Sequence, residues 1–189
     1  MKALLFVRLS PRLSACLAAC LLAVTSPAWA GKAHQHGVAQ LDVAVEPTRV
    51  TLELDTPLDN LLGFERAPRT DAERAAVEKA LTRLRAAEGL FRIDRAAGCT
   101  LAKVNLVSAA LGLPAPGGDA AAPAVKGEHA ELNGRFEFSC KAGNRASFVE
   151  VNLFEAFASM KRIELQLVLP RGQMKASLLR PATRVALAR

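Results

Sequence analysis

From Ala39 onward apolar and polar residues alternate with a period of two, and this constrains the possible architecture more than any other feature of the chain. Ala39, Leu41, Val43 and Val45 alternate with Gln40, Asp42, Ala44 and Glu46. Successive strand side chains point to opposite faces, so the segment reads as a strand with one buried face. Pro47-Thr48 marks a turn, after which Val50, Leu52 and Leu54 alternate with Thr51, Glu53 and Asp55. Two such runs joined by a short turn should pair as a hairpin, and Pro57 ends the second.

Thr70-Asp71-Ala72-Glu73 has the form of a capping box, in which the Thr70 hydroxyl and the Glu73 carboxylate each bond the other's backbone N–H. The helix it opens carries Ala76, Val77, Ala80, Leu81 and Leu84 on one face and should end near Glu88. Gly89 would then supply the left-handed C-cap. A strand is expected over 102–108. Residues 112–127 hold three prolines and four glycines with little apolar bulk, which marks a loop. Strand character returns with Leu132, Phe136, Phe138 and Cys140, while 148–157 is ambiguous between strand and helix. Ile163, Leu165, Leu167 and Leu169 form another strand, 172–180 its hairpin partner, and 185–187 a short edge. Short connections favour antiparallel pairing. The expected class is α+β, a mostly antiparallel sheet with one main helix packed on it.

Upstream of the first strand, Lys2, Arg8 and Arg12 precede an apolar stretch from Leu13 to Val24 and then Ala28-Trp29-Ala30. This is the pattern of a secretory leader cleaved after Ala30. Leu17-Ala18-Ala19-Cys20 is a competing lipoprotein box, but cleavage before Cys20 leaves only about seven apolar residues after Arg12, the lower limit for a leader. No stretch approaches the roughly 20 apolar residues of a membrane span. Residues 31–189 are therefore read as one exported, periplasmic domain without membrane insertion. The leader removes Cys16 and Cys20, leaving Cys99 and Cys140, which in an oxidising compartment are most simply a disulfide. That bridge would be worth at most about 4 kcal/mol. The leader also removes three basic residues and no acidic ones, so the formal charge falls from +7 to +4. With no basic run and no interleaved aromatic platform, no nucleic-acid partner is expected.

His34 and His36, two of the three histidines, sit just after the leader. In extended chain residues i and i+2 share a side, so both imidazoles could reach one ion, with Gln40 and Asp42 on the same side unless Gly37 breaks the register. His129 and Glu131 repeat the spacing at the start of another strand. Two histidines from one strand start and a histidine and carboxylate from the other would complete a tetrahedral zinc site, provided the two ends meet in space. The plainer reading, solvated histidines on polar faces, stays open. The acids Asp59 and Glu65 could be paired into acid/base roles. However, the chain has no Gly-x-Ser-x-Gly, no His-Glu-x-x-His and no mature cysteine expected to be free, so an enzyme is not the reading adopted.

Four stretches carry a resemblance. His34-Gln35-His36-Gly37, running into the alternating strand, is similar to the opening of the ZrgA-like periplasmic zinc-uptake family. Residues 56–68, with Asn60 and Gly63-Phe64-Glu65, resemble its SPxxNxxGFEHxP segment. His129-Ala130-Glu131 leading to Phe136-Glu137-Phe138-Ser139-Cys140 resembles a further strand, and Leu153-Phe154-Glu155-Ala156-Phe157 its LFxxFP element. The resemblance implies a non-catalytic accessory protein holding about one Zn²⁺ per chain and assisting the zinc-binding component of an ABC importer. Its implied ligands are His34, His36 and His129, with Glu65 as a further one. Arg66 stands where family members often carry histidine, and the central loop lacks a His-rich insertion, so bulk capture by that loop is not expected. A periplasmic protein-interaction module with incidental histidines, and a copper carrier, are the competing readings.

Overall fold

The alternation becomes two strands, β1 (Val38–Glu46) and β2 (Arg49–Pro57), paired antiparallel with Leu41 opposite Leu54 and Val45 opposite Val50. The computed structural model describes residues 35–114 and 130–187, all within the unit His34–Arg189. After β2 come α1 (Leu58–Leu62), α2 (Asp71–Arg85), β3 (Phe91–Ile93), β4 (Cys99–Val107) and β5 (Glu131–Cys140). Next are β6 (Phe148–Val151), α3 (Leu153–Ala156), β7 (Arg162–Leu169), β8 (Gly172–Leu179) and β9 (Arg184–Ala186). Six strands form one sheet in the order β4-β5-β2-β1-β7-β8, and three form a second in the order β3-β6-β9. Strands dominate and α2 is the one long helix, so the α+β expectation holds. Among the described residues no helix is long and apolar enough to cross a membrane.

One face of the large sheet is apolar. Ala39, Leu41 and Val43 from β1, Leu52 and Leu54 from β2, Phe136 from β5 and Ile163 and Leu167 from β7 are each no more than 2% exposed. α2 adds Val77, Ala80, Leu81 and Leu84 to the same core. These recur at the i, i+3, i+4, i+7 spacing of one helix face, and Ala76, expected with them, is exposed to one side. Phe91 of the small sheet meets Phe136 at a ring separation of 4.9 Å, joining the two sheets in one core. The opposite face of the large sheet carries Asp42, Glu53, Arg135 and Gln166 and is exposed, as an antiparallel sheet can afford.

The structure refines several expectations and departs from one, the end of the main helix. β1 and β7 pair in parallel, Leu41 with Leu165. Short connections bias only neighbours in sequence, and more than a hundred residues of chain separate these two. The capping box is present in full, but α2 stops at Arg85, and Gly89 lies in a 3₁₀ turn, Ala87–Gly89, without a positive φ. Ala87 is fully buried, so the chain turns tightly into the core and Leu90 N bonds Ala87 O at 3.0 Å. The stretch 148–157 is both kinds of element in succession, β6 then α3. β9 edges the small sheet, pairing with β6. Of the loop, 112–114 are described, with Leu113 bridged to Ser108; residues 115–129 lie outside the described set. Cys99 and Cys140 are directly opposed across β4 and β5 and disulfide-bonded.

Candidate metal centre

The start of β1, the end of β2, the start of β5 and the start of β7 lie at one end of the large sheet. β1 enters it through a tight turn in which Val38 N bonds Gln35 O at 3.0 Å. Gly37, third in that turn, has a φ of +81°, a value side chains resist. Its carbonyl accepts from Lys161 N and Arg162 N at 2.7 and 2.9 Å, which ties the turn to β7. The turn breaks the two-residue parity, so His36 does not continue the face that carries Asp42. Asp42 lies inside β1, paired with Glu53 and Gln166.

Instead, His36 meets the segment after β2. Its Nε2 is 3.0 Å from Glu65 Oε1, and its Nδ1 is 3.8 Å from Asp59 Oδ2. Asp59 is in the first turn of α1. Glu65 follows Gly63, which ends α1 at a φ of +78°. The Glu65 side chain is 17% exposed and His36 62%, so a carboxylate held in the protein faces an imidazole open to solvent.

Arg66 anchors the backbone next to Glu65. Its guanidinium makes a two-pronged pair with Glu73, at 2.7 and 2.9 Å, and lies 5.1 Å from the Phe64 ring centre. Glu73 also accepts from Arg69 N at 2.6 Å and completes the Thr70 capping box. These bonds, with Arg66 foremost, pull the Glu73 carboxyl down to about 2. Where the motif led one to expect a histidine, this chain has a clamp fastening the Gly-Phe-Glu segment to the start of α2.

For two imidazole or carboxylate ligands of a tetrahedral zinc ion, bond lengths near 2.0–2.1 Å imply a ligand–ligand spacing of about 3.3 Å. The 3.0 Å between His36 Nε2 and Glu65 Oε1 is within a few tenths of that, so this pair fits two ligands of one ion. Asp59 faces the other ring nitrogen at 3.8 Å, beyond hydrogen-bond reach, so it would act on the imidazole as a nearby negative charge rather than share the ion. Accordingly, among the described residues no three histidine, cysteine, aspartate or glutamate side chains are gathered to hold a metal ion.

His34 and His129, two expected ligands, lie outside the described residues. Their bonded neighbours do not. Gln35, next to His34, opens the turn and accepts from Arg162 Nη2 at 3.2 Å. Ala130, next to His129, accepts at its carbonyl from Leu58 N at 2.8 Å, one residue from Asp59. Glu131 pairs with Pro57, and its carbonyl accepts from the Ser108 hydroxyl at 2.6 Å. β2 separates β5 from β1, so the two strand starts are about 10 Å apart. Sequence reasoning singled out Glu65 but not Asp59 as a neighbour of His36, and gave Asn60 no role. Asp59-Asn60 just after a strand-ending proline was the available signal.

No curated protein matches the chain. A family model described as "ZrgA family zinc uptake protein" matches residues 33–187, nearly all the chain beyond the leader-like segment. The chain belongs to the ZrgA family of zinc uptake proteins.

Proposed function

We propose that this chain is a periplasmic, non-catalytic zinc-binding protein that holds about one Zn²⁺ per molecule and assists the zinc-binding component of an ABC importer. The observation that carries the reading is the His36–Glu65 pair at 3.0 Å with Asp59 behind the imidazole. Zinc would replace the Nε2 proton and take Glu65 as its carboxylate. His34 and His129 would supply nitrogens, since each is bonded to a residue docked at the same end of the sheet. Glu131 is a reserve oxygen ligand from β5. Family membership supports zinc as the ion. In this reading residues 1–30 are a leader removed after Ala30 and residues 31–189 are one domain.

Titration of the mature protein with zinc against a chromophoric chelator tests this. One equivalent should bind at pH 7.5 and bind much more weakly below about pH 6, because imidazole must lose its proton to ligate and its ordinary pKa is about 6.5. Glu65→Gln should weaken binding, because the ion would lose its carboxylate ligand. Undiminished binding at pH 5, or in Glu65→Gln, would contradict the proposal. A periplasmic extract should contain a chain starting at Gly31, and a lipidated Cys20 would contradict the leader assignment.

A further inference from the structure

Asn60 is 1% exposed and every polar atom of its side chain is engaged. Oδ1 accepts from Gly37 N at 2.6 Å, and Nδ2 donates to Val38 O at 2.8 Å and to Thr56 Oγ1 at 3.0 Å. A buried amide is tolerated only when its hydrogen bonds are made, so this residue has one geometry. Two of its three bonds go to backbone rather than side chains. They take the N–H of Gly37 and the C=O of Val38, much as a paired strand would, at the two residues immediately after His36. The next residue back along α1 is Asp59, which faces His36 Nδ1.

We propose that Asn60 is the positioning residue of the metal centre: it fixes the backbone that carries His36 against the helix that carries Asp59, and so sets the His36–Glu65 approach. The role rests on the zinc reading above. A carboxylate or a hydrocarbon cannot fill it, because the turn needs an acceptor and a donor about one peptide apart. The fold does not depend on Asn60 in the same way. Gly37 O remains tied to Lys161 N and Arg162 N, and β1 remains paired to β2 and β7. Loss of Asn60 would therefore leave the sheet standing while freeing the Gly37 N–H and the Val38 C=O, and with them the approach of His36 to α1.

Thr56→Val serves as the control, since it removes one bond of Nδ2 and leaves both bonds to the turn. Zinc affinity and urea midpoint are measured together for wild type, Asn60→Ala, Asn60→Ser and Thr56→Val, with the visible spectrum of the Co²⁺-loaded forms. Asn60→Ser keeps a hydroxyl near Thr56 but is too short to reach Gly37, and provides the test should the alanine variant not fold. The serine variant should bind zinc at least 10-fold more weakly and show an altered Co²⁺ band. Thr56→Val should lose stability yet stay within about 3-fold of wild-type affinity. Wild-type affinity and spectrum in a folded Asn60 variant, with wild type binding zinc, overturn the positioning role alone. Affinity falling equally in Thr56→Val also overturns it, by showing general loosening. No binding by wild type removes the zinc reading, and this role with it.

Discussion

Removing the Cys99–Cys140 bridge should cost the fold several kcal/mol and the metal centre nothing. The bridge closes a separation of 41 residues. The chain-entropy relation for a loop of that size gives about 4 kcal/mol. Measured losses for native bridges are about 2–5 kcal/mol, against a total stability of about 5–15 kcal/mol for a domain. The bridge also joins β4, an edge of the large sheet, to β5 at their paired ends. Cys140 closes a ten-residue strand whose other end is Glu131. At the usual rise per residue the bridge is therefore about 30 Å from the end that carries His36. The Cys99→Ser/Cys140→Ser variant, compared with wild type in urea and by zinc titration, should lose about 2–4 kcal/mol. It should melt about 4–16 °C lower and keep zinc affinity within about 2-fold while folded. A loss below about 1 kcal/mol would refute the staple argument. Lost zinc binding in the folded variant would refute the separation of fold and site.

Three further substitutions test the local reasoning. Gly143 donates to Pro47 O at 2.6 Å, and a Cβ there would overlap the Glu46 carbonyl oxygen, so Gly143→Ala should cost about 1–3 kcal/mol or more in urea. Gly89 has open space and no positive φ, so Gly89→Ala should be neutral or stabilising by about 0.4–1 kcal/mol, whereas a left-handed C-cap would make it destabilising. The Glu73 carboxyl, lowered from 4.5 to about 2 mainly by Arg66, contributes stability above its unfolded value that is lost as pH falls from about 4.5 toward 2. Glu73→Gln should therefore flatten that part of the stability–pH curve, and an unchanged acid limb would show that the clamp does not matter in solution.

The sequence revealed what is governed by short periods and local hydrogen bonds. Two-residue alternation located β1, β2, β5 and β7, the hairpin expectation placed β8 beside β7, and the Thr70–Glu73 box located the start of α2. It did not reveal features decided by distant packing. β3 has three residues and α1 five, too few for a period to show. The end of α2 follows from the demand that Ala87 and Phe91 be buried, which overrides the appeal of Gly89 as a cap. The parallel β1–β7 pair joins segments with no local relation. At the site, the spacing of His34 and His36 suggested a shared strand face, but the positive φ at Gly37 redirects His36 toward Asp59 and Glu65. That turn is held by Asn60 from 23 residues away, a contact no local pattern encodes.

The central claim is that the histidines at the start of β1 hold zinc with Glu65, and calorimetric titration of the His34→Ala/His36→Ala variant beside wild type tests it most directly. Wild type should bind about one zinc, the double variant should show no tight binding, and His129→Ala should fall between them. Unaltered heat and stoichiometry in the double variant would place the ion elsewhere and leave the N-terminal pair without a role in binding it.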